Sequence, residues 1–287
     1  MKVIITGAGG MLGSDLLDVF KKSDEHKVSM FRRNELDISD RDQVLSVVTE
    51  LRPDVIINAA AYTDVDGCEI NREMAFAVNA EGPKHLAEAS RSVGATLIHV
   101  STDYVFSGDH TQPYQVEEEC HPKSVYGQSK WAGEETIRHS WERHFILRTS
   151  WLYGLHGKNF VTTMLRVGKK ESTVRVVNDQ IGSPTFSWDL AQAIISLLES
   201  DKYGTYHVTN QGFCTWNDFS KLIFSLEGMK VDVLPITTGE LGRPAPRPAY
   251  SVLDHHKWIE ARFPSLRHYD EALQDYLQRW HELNDER

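Results

Sequence analysis

The sequence predicts an α/β protein: a doubly wound parallel sheet with a smaller C-terminal α/β lobe. Three observations predict it. Apolar β-branched runs alternate with amphipathic helical runs over the first 150 residues, the order that parallel strands and right-handed crossover helices require. A glycine-rich loop joins the first strand to the first helix, which is the context in which a glycine pattern implies dinucleotide binding. Beyond residue 150 the alternation loosens and aromatic and proline-rich stretches appear.

The first strand is Lys2-Val3-Ile4-Ile5-Thr6, apolar and β-branched as a buried parallel strand should be. Gly7-Ala8-Gly9-Gly10-Met11-Leu12-Gly13 follows, then a helical pattern through Leu16, Leu17 and Phe20. Glycines let the backbone turn tightly and approach a pyrophosphate, and the helix start offers free N–H groups to its phosphates. Gly7, Gly10, Gly13 and the helix-opening Met11 and Leu12 are therefore cofactor-binding candidates, in a Rossmann-type fold. The second strand, 26–31, ends at Arg32-Arg33. An acid there binds a ribose 2′-hydroxyl, whereas an arginine receives a 2′-phosphate. Two arginines, Arg32 and Arg33, with no carboxylate before Glu35 lean towards NADP; a solvated basic loop reads equally well. Leu36-Asp37-Ile38-Ser39 leads to a helix capped at Ser39 or Asp40. The third strand, 53–58, runs into Ala59-Ala60-Ala61-Tyr62, small residues against which a flat cofactor can lie. Residues 69–92 read as one long helix.

The fourth strand, 95–100, delivers Ser101-Thr102-Asp103-Tyr104 to the carboxyl edge of the sheet, and a further strand spans 144–149. Between them a helix starts near Ser124 and ends near Trp141, carrying Tyr126-Gly127-Gln128-Ser129-Lys130. Four residues apart, Tyr126 and Lys130 share a helix face. An ammonium beside a phenol favours the phenolate, so the pair reads as a general acid/base unit. Alone it is a weak pattern, common in helices. Later come a short strand (174–177), a helix (189–198), a strand (204–208), a cap at Thr215, an extended Arg243–Pro248 segment and a last helix (269–283). The expected division is 1–150 as NAD(P)-binding part, with a return around 184–209, and 151–287 as mostly substrate-binding lobe.

The chain has 287 residues, 40% hydrophobic, with a net charge of −10. That balance argues against non-specific nucleic-acid binding, which depends on phosphate neutralisation. No apolar run reaches the ~20 residues that span a bilayer, and no secretory signal is legible. Three scattered cysteines give neither a disulfide framework nor a metal pattern. The expectation is a cytoplasmic protein without nucleic-acid or membrane partners and without a catalytic metal.

Seven strings in order, GAGGMLG (7–13), NAAAYTDVDGCE (58–69), STDYVF (101–106), YGQSK (126–130), RTSWLYG (148–154), NDQIGSPT (178–185) and RPAYSVLD (247–254), resemble the extended short-chain dehydrogenase/reductase superfamily. Within it they resemble the dTDP-4-dehydrorhamnose reductases. The resemblance implies NADPH as cofactor, with NADH as an alternative, and a nucleotide-sugar substrate. It implies that Asp37 and Ile38 lie near the adenine, that Ala59, Ala60 and Tyr62 line the cofactor, and that Lys130 holds the nicotinamide ribose and keeps the Tyr126 pKa low. Thr102, Tyr126 and Lys130 would be catalytic. Thr102 would bond the substrate oxygen, Val65, Tyr104 and Trp151 would enclose the sugar, and Asp103 and Asn159 would add polar contacts. Some relatives hold Mg2+ at a dimer contact; no ligand is assigned here, and a homodimer stays an expectation. Epimerases, dehydratases and catalytically silent NAD(P)-binding subunits share much of the pattern. Dehydratases typically carry Asp-Glu after the threonine, whereas Tyr104 follows Asp103 here.

Overall fold

The computed structural model describes residues 1–22 and 25–285. Strands β1 (Lys2–Thr6), β2 (Lys27–Phe31), β3 (Val55–Asn58), β4 (Thr96–Thr102), β5 (His144–Thr149) and the Gly204–His207 strand form one sheet. Its order is Gly204–His207, β5, β4, β3, β1, β2, and every pairing is parallel. Strands β3 and β5 are buried along their whole length, which is why their centres, Val55-Ile56-Ile57 and Phe145-Ile146-Leu147, read as apolar runs. The winding reverses between β1 and β3. In open α/β sheets that switch point opens a crevice beyond the strand carboxyl ends.

Helices cover both faces. The Met11–Phe20 and Ser187–Ile195 helices pack together on one side, the Arg41–Leu51, Gly82–Val93 and Val125–Ser140 helices on the other. Asp40, not Ser39, caps the Arg41–Leu51 helix, accepting from Asp42 and Gln43 N–H. Ser124 caps the Val125–Ser140 helix through the Gly127 N–H at 3.1 Å. After β5 the chain pairs Thr173–Val177 with Asp232–Ile236 and flanks them with the Phe160–Gly168 and Trp216–Leu226 helices. The last helix, Tyr269–Asp285, inserts Tyr276 between Tyr153 and Phe186, with ring centroids 5.2 and 5.6 Å away. Those aromatics belong to the same core as β1 and β5. Among the described residues no helix is long and apolar enough to cross a membrane.

The single helix expected over 69–92 is divided. Helices Val65–Ile70 and Arg72–Phe76 meet at Asn71, a π-helical turn occupies Ala77–Glu81, and Gly82–Val93 completes the run. Asn71 breaks the first junction because its side chain donates to Gly67 O at 3.1 Å, a local bond that competes with the helix. The wide turn aims Asn79 inward. Its amide accepts from Tyr62 N–H at 2.8 Å and donates to Tyr62 O at 3.0 Å and Ser129 Oγ at 3.0 Å.

Asp15 supplies a pH-dependent weakness between the two helices of the first face. Its carboxylate accepts from Ser187 Oγ, and burial lifts its pKa from 3.8 to about 6, with the Ser187 bond opposing. A raised folded-state pKa favours the protonated acid, so this contribution is complete below the unfolded value and is lost as pH rises through about 6. At pH 7 the buried charge costs about 3 kcal/mol. Asp15→Asn keeps an acceptor for Ser187 and removes the charge. Thermal unfolding against pH should show the variant gaining several degrees near pH 7 and nothing at pH 4; an equal gain at both would contradict this account.

Candidate active site

The glycine loop is held against β3 by contacts that admit no side chain. Gly7 has φ +75, and a Cβ there would lie 2.6 Å from Ala59 C and Ala60 N. A Cβ on Gly13 would overlap the Gly7 carbonyl oxygen, so the third glycine seats the Met11–Phe20 helix on the loop. Gly10 caps that helix without any side-chain bond to its first turn, leaving its N–H groups for an anion. A cleft of about 240 Å³ opens beside the loop, lined by Gly7, Gly9, Gly10, Arg33, Leu36, Asp37, Ile38, Ala59, Ala60, Ala61, Tyr62 and Val78. It is mostly apolar, with small residues on one wall and a guanidinium at one end. That donor set fits a dinucleotide: a close backbone approach, free helix-start N–H groups and a cation for phosphate.

The Leu12 side chain is buried in the core and that of Met11 packs against Gly154, so what these two can offer a cofactor is backbone N–H; the Arg32 stem runs beside Gly9, a residue of the cleft wall. Of the two arginines after β2, Arg33 lines the cleft wall; the chain turns there, Glu35 and Leu36 N–H donating to Arg32 O, and nothing in the sequence said which side chain faced inward. Gly9, Leu36, Ala61 and Val78 were also unassigned.

Next to the cleft, the Val125–Ser140 helix brings Tyr126 under the end of β4. Tyr126 packs with Cys68, Ala75 and Val125, and against Tyr62, Val65, Phe76 and Tyr104. The Tyr104 ring meets it edge-on at 5.4 Å. Thr102 Oγ1 donates to Asp103 Oδ1 at 2.9 Å and accepts from Tyr104 N–H at 3.2 Å. Burial pushes the Tyr126 phenol well above its ordinary range, with the Thr102 hydroxyl pulling the other way. The expected lowering of this phenol by Lys130 is absent from that balance. Lys130 Nζ instead donates to Val100 O at 2.7 Å and lies 3.3 Å from His99 Nε2. Burial takes Lys130 down to about 8, opposed by Glu134. One turn further on, Glu134 is fully buried and bonded to Arg148 and Ser101, which locks the helix to β4 and β5.

Asp103 is buried, and burial lifts its carboxyl to about 6 against hydrogen bonds from Ser251 and Thr102. Burial raises the Tyr104 phenol to about 12, with Arg247 opposing. Trp151, at φ 47, stacks on Trp216 at 3.5 Å and closes over Gly182. Asn159 has both amide groups occupied: it accepts from Thr162 N–H at 2.9 Å and donates to Gly154 O at 2.7 Å, capping the Phe160–Gly168 helix.

The model of one protein family, described as the RmlD substrate binding domain, matches residues 1–282. This chain belongs to the RmlD family. The dTDP-4-dehydrorhamnose reductase of Streptomyces griseus is 44% identical over 277 residues, 94% of this chain and 91% of its own. The spore coat polysaccharide biosynthesis protein SpsK of Bacillus subtilis is also 44% identical, over 96% of this chain and 97% of its own. A dTDP-4-dehydrorhamnose reductase from Bacillus anthracis, solved in complex with NADP, superposes with a TM-score of 0.95 at 45% identity, covering 97% of this chain and 99% of that one. In this RmlD-family chain the cleft adjoins the Tyr126 cluster, since Tyr62 borders both.

Proposed function

We propose that this protein reduces the 4-keto group of dTDP-4-dehydro-β-L-rhamnose to give dTDP-L-rhamnose, with NADPH as reductant. The observation that carries the reading is the Thr102–Tyr126–Lys130 set beside the glycine cleft, in a chain 44% identical to a reductase of that name. When bound, the nicotinamide supplies a hydride to the carbonyl carbon. Gly7, Gly10 and the first turn after Gly10 hold the pyrophosphate, Ala59, Ala60 and Tyr62 line the cofactor, and Arg33 with Arg32 meets the 2′-phosphate. Lys130 holds the nicotinamide ribose.

Tyr126 is the proton donor. Burial keeps its phenol protonated at neutral pH, the state from which an acid must start. As negative charge grows on the substrate oxygen, the Tyr126 and Thr102 hydroxyls stabilise it, and the Tyr126 proton completes the alcohol. Val65, Tyr104 and Trp151 enclose the ring, Asp103 adds a polar contact, and residues 151–287 outside the 184–209 return position the sugar. Tyr104, in place of a second acid after Asp103, favours simple reduction over water elimination.

The test is NADPH consumption with the ketosugar generated in situ from dTDP-glucose. Oxidation dependent on the ketosugar is expected, faster with NADPH than NADH. No oxidation with either cofactor removes the reading.

A further inference from the structure

Behind Lys130 lies a row of buried polar groups that the proposed chemistry does not use. Thr6 Oγ1 donates to Asn58 Oδ1 at 2.8 Å. Asn58 Nδ2 lies 2.9 Å from His99 Nδ1, and His99 Nε2 lies 3.3 Å from Lys130 Nζ. The row crosses β1, β3 and β4 into the Val125–Ser140 helix, and each member is at most 2% exposed. An unmatched buried polar group costs about 1–3 kcal/mol, so donors and acceptors must alternate along it.

They alternate in one way. The Ala60 backbone N–H donates to Asn58 Oδ1 at 3.1 Å. A backbone N–H cannot accept, so the Asn58 oxygen is fixed there and its nitrogen faces His99. His99 Nδ1 must then accept. A neutral imidazole with an accepting Nδ1 carries its proton on Nε2. That Nε2–H is directed at Lys130 Nζ, and an ammonium has no lone pair with which to accept it. An amine has one, and can still donate to Val100 O at 2.7 Å. With Lys130 charged, either ring tautomer leaves two donors buried against each other.

We propose that Thr6, Asn58 and His99 form a positioning unit that presents an imidazole N–H to Lys130 and holds it as an uncharged amine in the free protein. The proposal rests on the reading of Lys130 as part of the active site. Burial acts in the same direction on both partners: it lowers Lys130, to about 8, and takes His99 far below the ordinary imidazole range; the imidazole N–H must carry Lys130 the rest of the way below neutral pH. Among the charged neighbours, Glu134 on the same helix opposes it, with its own charge shared by Arg148 and Arg138. From β1 and β3 the row presents neutral Thr6 and Asn58, and from β5 His144, itself lowered by burial. Tyr126 and Lys130 therefore start as neutral phenol and neutral amine. The ammonium that would lower the phenol appears when the His99 contact is broken.

The experiment is nuclear magnetic resonance on the full chain. Long-range proton–nitrogen correlation of His99, assigned by its loss in His99→Gln, should show a protonated Nε2 and a bare Nδ1. Carbon-labelled lysine, assigned with Lys130→Met, should give a Lys130 midpoint below about 7, so that the amine is the resting form at neutral pH. Asn58→Asp is nearly isosteric and accepts from Ala60, Thr6 and a ring N–H alike. It should flip the ring to the Nδ1–H form and raise the Lys130 midpoint by about 1 pH unit or more. A protonated Nδ1 in the unaltered protein, a Lys130 midpoint at or above about 7, or an unmoved ring in Asn58→Asp overturns the proposal. Should Asn58→Asp not fold, the two measurements on the unaltered protein decide alone. A protein with the stated tautomer and no reductase activity would sink the function and leave this inference standing.

Discussion

Tyr126→Phe is expected to lower turnover by about 10³–10⁴-fold while NADPH binds as before. The ring sits in a cluster with Cys68, Ala75 and Val125, and phenylalanine fills the same space, so the protein should fold and the cleft should keep its shape. What is lost is one O–H at the point where the carbonyl oxygen gains charge. An interaction made in the transition state alone lowers kcat and kcat/KM equally. Steady-state kinetics should show that equality, with KM for the ketosugar near its unaltered value. A drop confined to KM would recast Tyr126 as a binding residue. Unchanged turnover would pass the acid role elsewhere, and Tyr104 is a neighbouring phenol, its ring 5.4 Å away. Tyr104→Phe under the same assay separates the two.

The strands were legible because burial on both faces leaves an apolar centre, as in Val55-Ile56-Ile57 and Phe145-Ile146-Leu147. The loop was legible because Gly7 and Gly13 tolerate no side chain. Helical spacing correctly set Tyr126 and Lys130 on one face. It could not reveal that both would be buried, nor that Lys130 would reach a β4 carbonyl and His99 rather than govern the phenol. Those facts depend on strands thirty residues earlier. The division of the 69–92 helix was hidden for the same reason: its π-helical turn serves Asn79, whose partner Ser129 is fifty residues away. Asn159 looked like a free amide because a capping box is defined by backbone direction, and Trp151 gave no hint of its stack on Trp216. Local pattern fixed which elements exist; the polar side chains took partners that no window of sequence contains.

Gly7→Ala should weaken NADPH binding at least about 100-fold while leaving the protein folded. Two costs coincide at this residue. The left-handed backbone, φ +75, disfavours any Cβ by roughly 1–2 kcal/mol. The added carbon would also stand 2.6 Å from the Ala59 carbonyl carbon and the Ala60 nitrogen, atoms of β3's own continuation that cannot rotate away. The loop must therefore lift from the switch point, and the helix-start N–H groups after Gly10 move with it. Gly94 provides the control. It has the same φ of +75 at the end of the Gly82–Val93 helix, with nothing within 4 Å of a Cβ. Gly94→Ala should cost about 1 kcal/mol of stability and leave cofactor affinity untouched. Fluorescence titration with NADPH measures both variants on one scale. If Gly7→Ala binds as tightly as Gly94→Ala, the loop is not the pyrophosphate cradle, whatever its spacing suggests.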